Sequence, residues 1–306
     1  MQSSILPEAN GVSSHLNGEL SSSSSSSRSS AQFSRTLECR EKVALVTGAA
    51  KGIGRGIALR LARDGYKIGA CDLPTSLELL QSLGDEIKDQ CSLSETVLKS
   101  RFLVLSADVS DENEVKKMIE DCVKTLGSLD IMVANAGIAV VKPLLETSGE
   151  EFDKIISVNL RGVMLCYKYA AIQMIAQGRG GRIIGASSMN GKVGAPNISS
   201  YAATKFGVRG LTQSAALEWA KHKITVNCYA PARIHTSMLD QYDLDVTSRT
   251  PGMKRGDFLQ QLEDKTPLGE LAGPEVVASL VSYLASPEAH FITGQTLSIN
   301  GGAMLD

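Results

Sequence analysis

A short apolar run, Val43-Ala-Leu-Val-Thr47, ends at a glycine and passes through Thr47-Gly48-Ala49-Ala50-Lys51-Gly52-Ile53-Gly54 into an amphipathic stretch at 55–64 closed by Gly65. No other feature narrows the fold as much. An apolar strand without polar alternation suits burial on both faces, as in parallel sheets. Parallel neighbours must be joined by a crossover, and the following helix supplies one. The glycines let the backbone turn tightly and approach a pyrophosphate, whose charge then sits at a helix N-terminus with free N–H groups. A glycine-rich turn alone is a weak signal; the strand before it and the helix after it promote it.

The strand-helix unit recurs. Further strands are expected at 67–71, 102–106, 129–134, 181–186, 225–229 and 295–299, and helices at 112–126, 152–177, 201–219 and 274–284. Residues 77–100 read as one or two helices, interrupted near 90–94. Alternation of this kind implies an α/β fold with a doubly wound parallel sheet. With 306 residues and 43% hydrophobic content, one large domain is expected rather than two small ones. Residues 1–40 differ: they are Ser-rich, include the uninterrupted run Ser21 to Ser27, and lack an apolar block, so they read as a disordered tail preceding a domain at 41–306. Residues 231–273 are rich in Pro, Gly and charge with only short helical patches, which suits a mobile lid over a ligand.

Composition also narrows the function. A net charge of -2 advertises no nucleic-acid or membrane-surface partner. The six cysteines are dispersed, without a Cys-x-x-Cys pair, so buried thiols in a reducing compartment are expected rather than a metal site or disulfides. No apolar run reaches the ~18 residues of a membrane span, and no secretory h-region precedes the domain, so the cytosol is the default location.

Candidate chemistry collects where strands end. Asp72, about twenty residues past the glycine turn, can accept hydrogen bonds from an adenosine ribose, although it equally suits a strand-end turn. A 2′-phosphate there meets a like charge, which favours NAD; Lys51 is a countervailing cation that leaves NADP open. Asp108 and Val109 follow the third strand, and Asn135-Ala-Gly137 follows the fourth. Asn159 lies mid-helix, where asparagine is unfavourable unless it bends the helix or holds a water, or is simply exposed. Ser188 follows the fifth strand, thirteen residues before Tyr201. Tyr201 and Lys205 are four apart, hence on one helix face. A phenol acting near neutrality needs its pKa lowered by about three units from ~10, roughly 4 kcal/mol, which a cation ~4 Å away at an effective dielectric of ~20 supplies. Alone, a Tyr-x-x-x-Lys pair is more often two surface residues.

Together, Thr47-Gly48-x-x-x-Gly52-Ile53-Gly54, Asn135-Ala-Gly137, Asn159, Ser188, Tyr201-x-x-x-Lys205 and Pro231 with Thr236 resemble, in order and spacing, the motifs of the short-chain dehydrogenase/reductase family. The resemblance covers about 42–306. Within it, Phe206-Gly-Val-Arg-Gly-Leu-Thr-Gln213 and Val281-Ser-Tyr-Leu-Ala-Ser-Pro287 are most similar to the diacetyl/acetoin reductase branch and its polyol-dehydrogenase relatives. The resemblance implies a single-domain Rossmann-type sheet of about seven strands with helices on both faces. It further implies hydride exchange between NAD, or NADP, and a small secondary alcohol or ketone, and a homotetramer.

Carried over by position, Ser188 holds the substrate oxygen and Tyr201 transfers the proton. Lys205 acidifies Tyr201 and holds the nicotinamide ribose, and Asn159 supports a water relay. Gly48, Gly52, Ile53, Gly54, Asp72, Asp108, Val109 and Asn135 line the dinucleotide, while Ile234 and Thr236 meet its nicotinamide end. Two departures stand out. Ala134 replaces the first Asn of the family's Asn-Asn-Ala-Gly, and Ala232 replaces the glycine after Pro231; if that glycine needs positive φ, the nicotinamide pocket is shifted. The rival readings are an NADP-dependent ketoreductase of a biosynthetic pathway and a dinucleotide-binding sensor without turnover.

Overall fold

The computed structural model describes residues 41–305, so the expected tail at 1–40 lies outside the described residues. Seven strands form one parallel sheet: β1 (Val43–Thr47), β2 (Lys67–Asp72), β3 (Phe102–Ser106), β4 (Ile131–Ala134), β5 (Gly181–Ala186), β6 (Ile224–Pro231) and β7 (Thr296–Ile299). Their order is β3-β2-β1-β4-β5-β6-β7. All neighbours pair in parallel, as the crossovers demand.

The pleat divides the core. In β1, Val43 and Leu45 join one buried cluster and Ala44 and Val46 the other, because successive side chains leave opposite faces. The first face is covered by α4 (Glu112–Leu126), α6 (Gly162–Gln177) and α7 (Ser199–Trp219), through residues such as Met118, Met174 and Val208. The second is covered by α1 (Gly52–Arg63), α2 (Leu77–Gln90) and α10 (Pro274–Ala285), through Leu61, Leu83 and Val281. Helices on both faces explain why the central strands β1 and β4 are buried along their whole length.

Helix boundaries follow local chemistry. Asp111 caps α4 by accepting from the Asn113 and Glu114 amides, and Gly127 ends it in the left-handed region. The break expected near 90–94 is real: α2 stops at Gln90, and Ser94 caps α3 (Glu95–Arg101) by accepting from Val97 N. The helix expected at 152–177 begins earlier, as α5 (Gly149–Ile156), behind a Ser148/Glu151 capping box. It then opens into a π turn at Ser157–Arg161 before continuing as α6. The continuous 29-residue helix is long and apolar enough to cross a membrane by length and mean hydropathy, although charged and polar residues interrupt it and no unbroken apolar run reaches a membrane span. Its apolar surface is accounted for by packing, since Leu165, Tyr167, Ala170 and Met174 lie in the core.

The segment at 231–273 also differs from expectation. It contains α8 (Ser237–Arg249), a thirteen-residue helix, and α9 (Asp257–Asp264), rather than short patches alone. The prolines and glycines of the segment all lie outside α8, so the segment's average composition concealed a stretch free of helix breakers. Its two ends meet, with Ile234 bridged to Ala272 and His235 N donating to Ala272 O at 2.9 Å. The excursion is therefore anchored at one place on the sheet's carboxyl edge.

Candidate active site

Every predicted site residue outside the helices sits where a strand delivers its carboxyl end, the edge at which open α/β sheets hold ligands. At β1 the chain turns through Gly48 and Gly52, both at positive φ (+65 and +57). A Cβ on Gly54 would stand 2.0 Å from Gly48 O and 2.5 Å from Asn135 Nδ2, so no larger residue fits between turn and helix. Lys51, the N-cap of α1, supplies no side-chain cap, and the helix offers its positive end to an anion. Asn135 closes the turn from below: its Nδ2 donates to Thr47 O at 2.9 Å and Gly48 O at 3.1 Å. Thr236, at the start of α8, places its methyl 3.4 Å from where a Gly52 Cβ would be, which joins the excursion to the glycine turn.

Asp72 ends β2 with its carboxylate fixed beside this turn. Oδ2 accepts from Ala50 N at 3.0 Å, and Oδ1 from Leu73 N at 2.8 Å. A carboxylate so held opposes a second anion in the same place, whereas Lys51 is exposed. The uncapped helix end, the glycine cradle and this carboxylate suit the diphosphate and ribose of a dinucleotide.

The other predicted group assembles around α7. Tyr201 and Lys205 project from its first turns, and Lys205 is only 3% exposed. The Lys205 ammonium donates to Ala186 O at 2.8 Å and lies over the Tyr201 ring, 5.3 Å from its centroid. The Ser188 hydroxyl hydrogen-bonds the phenol and accepts from Asn190 N at 3.1 Å. Asn159, fully buried in the π turn, grips Ile138: Oδ1 accepts from its N–H and Nδ2 donates to its carbonyl, both at 2.8 Å. That grip is the special reason for a mid-helix asparagine, and π turns often mark such places. A Cβ on Gly137 would meet Asn159 Oδ1 at 3.2 Å and Lys205 Nζ at 3.6 Å, so the amide and ammonium converge on one glycine.

The electrostatics correct one expectation. Burial raises the Tyr201 phenol above its ordinary value, and the Ser188 hydrogen bond only partly offsets this. The Lys205 ammonium is directed at Ala186 O and lies over the ring face, 5.3 Å from the ring centre. Burial brings Lys205 itself down from 10.5 to about 8, with Cys228 acting in the opposite direction.

Other predicted residues are placed differently. Asp108 accepts from Ser110 N at 2.9 Å and Oγ at 2.7 Å. Its burial favours the neutral acid, yet these bonds and Lys154 hold it below the usual carboxylate range. Val109 is buried against Gly162 at the start of α6. Ile53 is partly buried beside the α1 core residues, and Ile234 is buried in the same cluster. Ala134 is a core residue of β4. Among described non-glycine residues only Ser92, Asn197 and Lys223 have positive φ, so the backbone at Ala232 needs no glycine and the feared shift has no cause there.

Sequence reasoning missed two supports. The Thr47 hydroxyl accepts from Asn135 N and Ala136 N, at 3.1 and 3.2 Å. The Ser187 hydroxyl donates to Lys205 O at 3.0 Å, and a Cβ on Gly191 would stand 2.3 Å from that hydroxyl. The Ser187-Ser188 pair was a visible signal; which serine faces the helix was not.

The chain matches a family model described as enoyl-(acyl carrier protein) reductase over residues 48–304. It is 48% identical over 265 residues to a short-chain dehydrogenase/reductase of Armillaria gallica, covering 87% of this chain and 97% of that one. It is 39% identical over 263 residues to the L-2,3-butanediol dehydrogenase of Corynebacterium glutamicum, covering 86% and 98%. Among solved structures, levodione reductase superposes with a TM-score of 0.77 at 31% identity, covering 86% of this chain and 98% of that one. An acetoin dehydrogenase from Salmonella typhimurium gives 0.72 at 32%, covering 86% and 96%.

Proposed function

The chain belongs to the short-chain dehydrogenase/reductase family of NAD(P)-dependent oxidoreductases, and from that premise we propose that it is NAD-linked and interconverts a small secondary alcohol and its ketone, of the acetoin/diacetyl type. The observation that carries this reading is the convergence of Ser188, Tyr201, Lys205 and Asn159 beside a glycine cradle flanked by Asp72. The relatives named for butanediol and acetoin support the substrate class.

The bound nicotinamide supplies or accepts the hydride. Everything else falls to the chain. The α1 N-terminus and the glycine turn hold the diphosphate, and Asp72 accepts from the adenosine ribose and repels a 2′-phosphate. Ser188 orients the carbonyl oxygen. Tyr201 delivers a proton to that oxygen as it gains charge, and a phenol that burial keeps protonated is in the form this donation requires. Lys205, charged below about pH 8, lends positive potential where the alkoxide develops and binds the nicotinamide ribose. Asn159 keeps the 135–138 segment in register with α7 and supports the water relay that returns a proton to the site. The family likeness supports a homotetramer, which light scattering tests.

Tyr201→Phe removes the proton donor while leaving the ring, so kcat with NADH and acetoin or diacetyl should fall at least about 10²-fold with the melting temperature retained. Near-wild-type turnover of a folded variant would reject the mechanism. For the cofactor, kcat/KM should favour NADH over NADPH; the reverse preference shows that Lys51 outweighs Asp72.

A further inference from the structure

Tyr229 lies in β6 and is 1% exposed, so its hydroxyl must find its partner inside the protein. It finds Asn135, donating to Oδ1 at 2.7 Å. The contact reaches across a strand, because β5 lies between β4 and β6, and it passes where Tyr229 pairs with Ala186. The phenol ring belongs to the same buried cluster as Ala49 and Ala50 of the glycine turn.

The consequence lies in what the other end of the amide does. Once Oδ1 has accepted the phenol proton, both N–H groups are left as donors, and they engage Thr47 O and Gly48 O. That amide fills the gap against the glycine turn: a Cβ on Gly48 would stand 2.8 Å from Asn135 Nδ2, and one on Gly54 2.5 Å from it. We infer that Tyr229 is a positioning residue for the dinucleotide site, its hydroxyl fixing the Asn135 amide in the orientation that holds the Gly48 turn in its binding shape. Without the hydroxyl, Oδ1 loses its donor, the amide gains freedom to rotate toward another one, and the Gly48 carbonyl is released from its clamp. Tyr229 touches neither substrate nor cofactor in this scheme, so its effect falls on dinucleotide affinity and not on the chemical step.

The inference rests on the NAD-binding reading above, and its test separates the two. NADH is titrated into the wild-type protein and into Tyr229→Phe by fluorescence, with steady-state kinetics and thermal melts run alongside. The expected result is a roughly tenfold weaker Kd and higher KM for NADH in the variant, with kcat at saturating NADH within about twofold of wild type. Asn135→Ala should weaken NADH binding as well, and adding Tyr229→Phe to it should cost little more, since both act through one clamp. Wild-type protein that fails to bind NADH or NADPH overturns the cofactor reading itself. Wild-type binding with an unchanged Kd in Tyr229→Phe, a kcat loss without a change in KM, or additive losses in the double variant overturns the positioning role alone. A variant that melts early and loses kcat and affinity together likewise assigns Tyr229 to packing and rejects the inference.

Discussion

Lys205 is subject to opposite demands, since the chemistry needs its charge and the interior penalises it. Its amine is held at about 8, against 10.5 for a free lysine, with Ala186 O its hydrogen-bond acceptor. Below about pH 8 folded and unfolded chains both carry the proton, and the folded state bears the full cost of the buried charge. Between about 8 and 10.5 only the unfolded chain keeps it, so this group makes the protein more stable as pH rises, by roughly 3 kcal/mol over the interval. Denaturant unfolding of wild type and Lys205→Met from pH 7 to 10.5 should show wild-type stability rising relative to the variant. A constant difference between them contradicts this account. The raised Tyr201 phenol acts the other way above pH 10, but it is present in both proteins and largely cancels.

At the scale of elements, we propose that the excursion between β6 and α10, which meets the glycine turn through Thr236, sets access to the site. Its ends are pinned together by the Ile234–Ala272 bridge, and its middle is tied by Asp243 of α8. That carboxylate is 1% exposed; Oδ2 accepts from Gly256 N at 2.8 Å, and Oδ1 has no hydrogen-bond partner among the described residues. Gly256 needs its positive φ of +93 to turn into α9, so the bond holds the corner between the two helices. The half-exposed Arg249–Glu146 pair at 3.6 Å adds little. Asp243→Ala should therefore loosen the α8–α9 corner by about 2 kcal/mol. Hydrogen exchange at 237–264 should quicken and the KM for the ketone should rise several-fold, with the KM for NADH unchanged within about twofold. Unaltered exchange in that stretch would show that the corner is held by packing instead. The π turn makes the same point about elements: one extra residue per turn aims Asn159 at Ile138, and propensity alone does not foresee it.

For the whole molecule, the order β3-β2-β1-β4-β5-β6-β7 places a reversal between β1 and β4, where Gly48 and Asn135 meet. A ligand that binds this junction in the folded chain and not in the unfolded one stabilises the native state by mass action. At NADH concentrations about a hundredfold above Kd, unfolding should cost ~2.7 kcal/mol more, visible as a clear rise in melting temperature. NADPH at the same concentration should give a smaller rise, and no shift with either nucleotide would count against the cofactor site. Much of this was legible in the chain alone. Apolar runs of strand length alternating with helical periodicity specified a parallel sheet, and the family resemblance carried by glycine, serine, tyrosine and lysine in order pointed to the candidate site, because backbone geometry and chemical type are local properties. The thirteen residues of α8, the π turn, the phenol raised rather than lowered, the Tyr229–Asn135 bond and the ordinary backbone at Ala232 were decided only in three dimensions. Burial and hydrogen-bond direction depend on which distant segments pack together, and no local pattern encodes that.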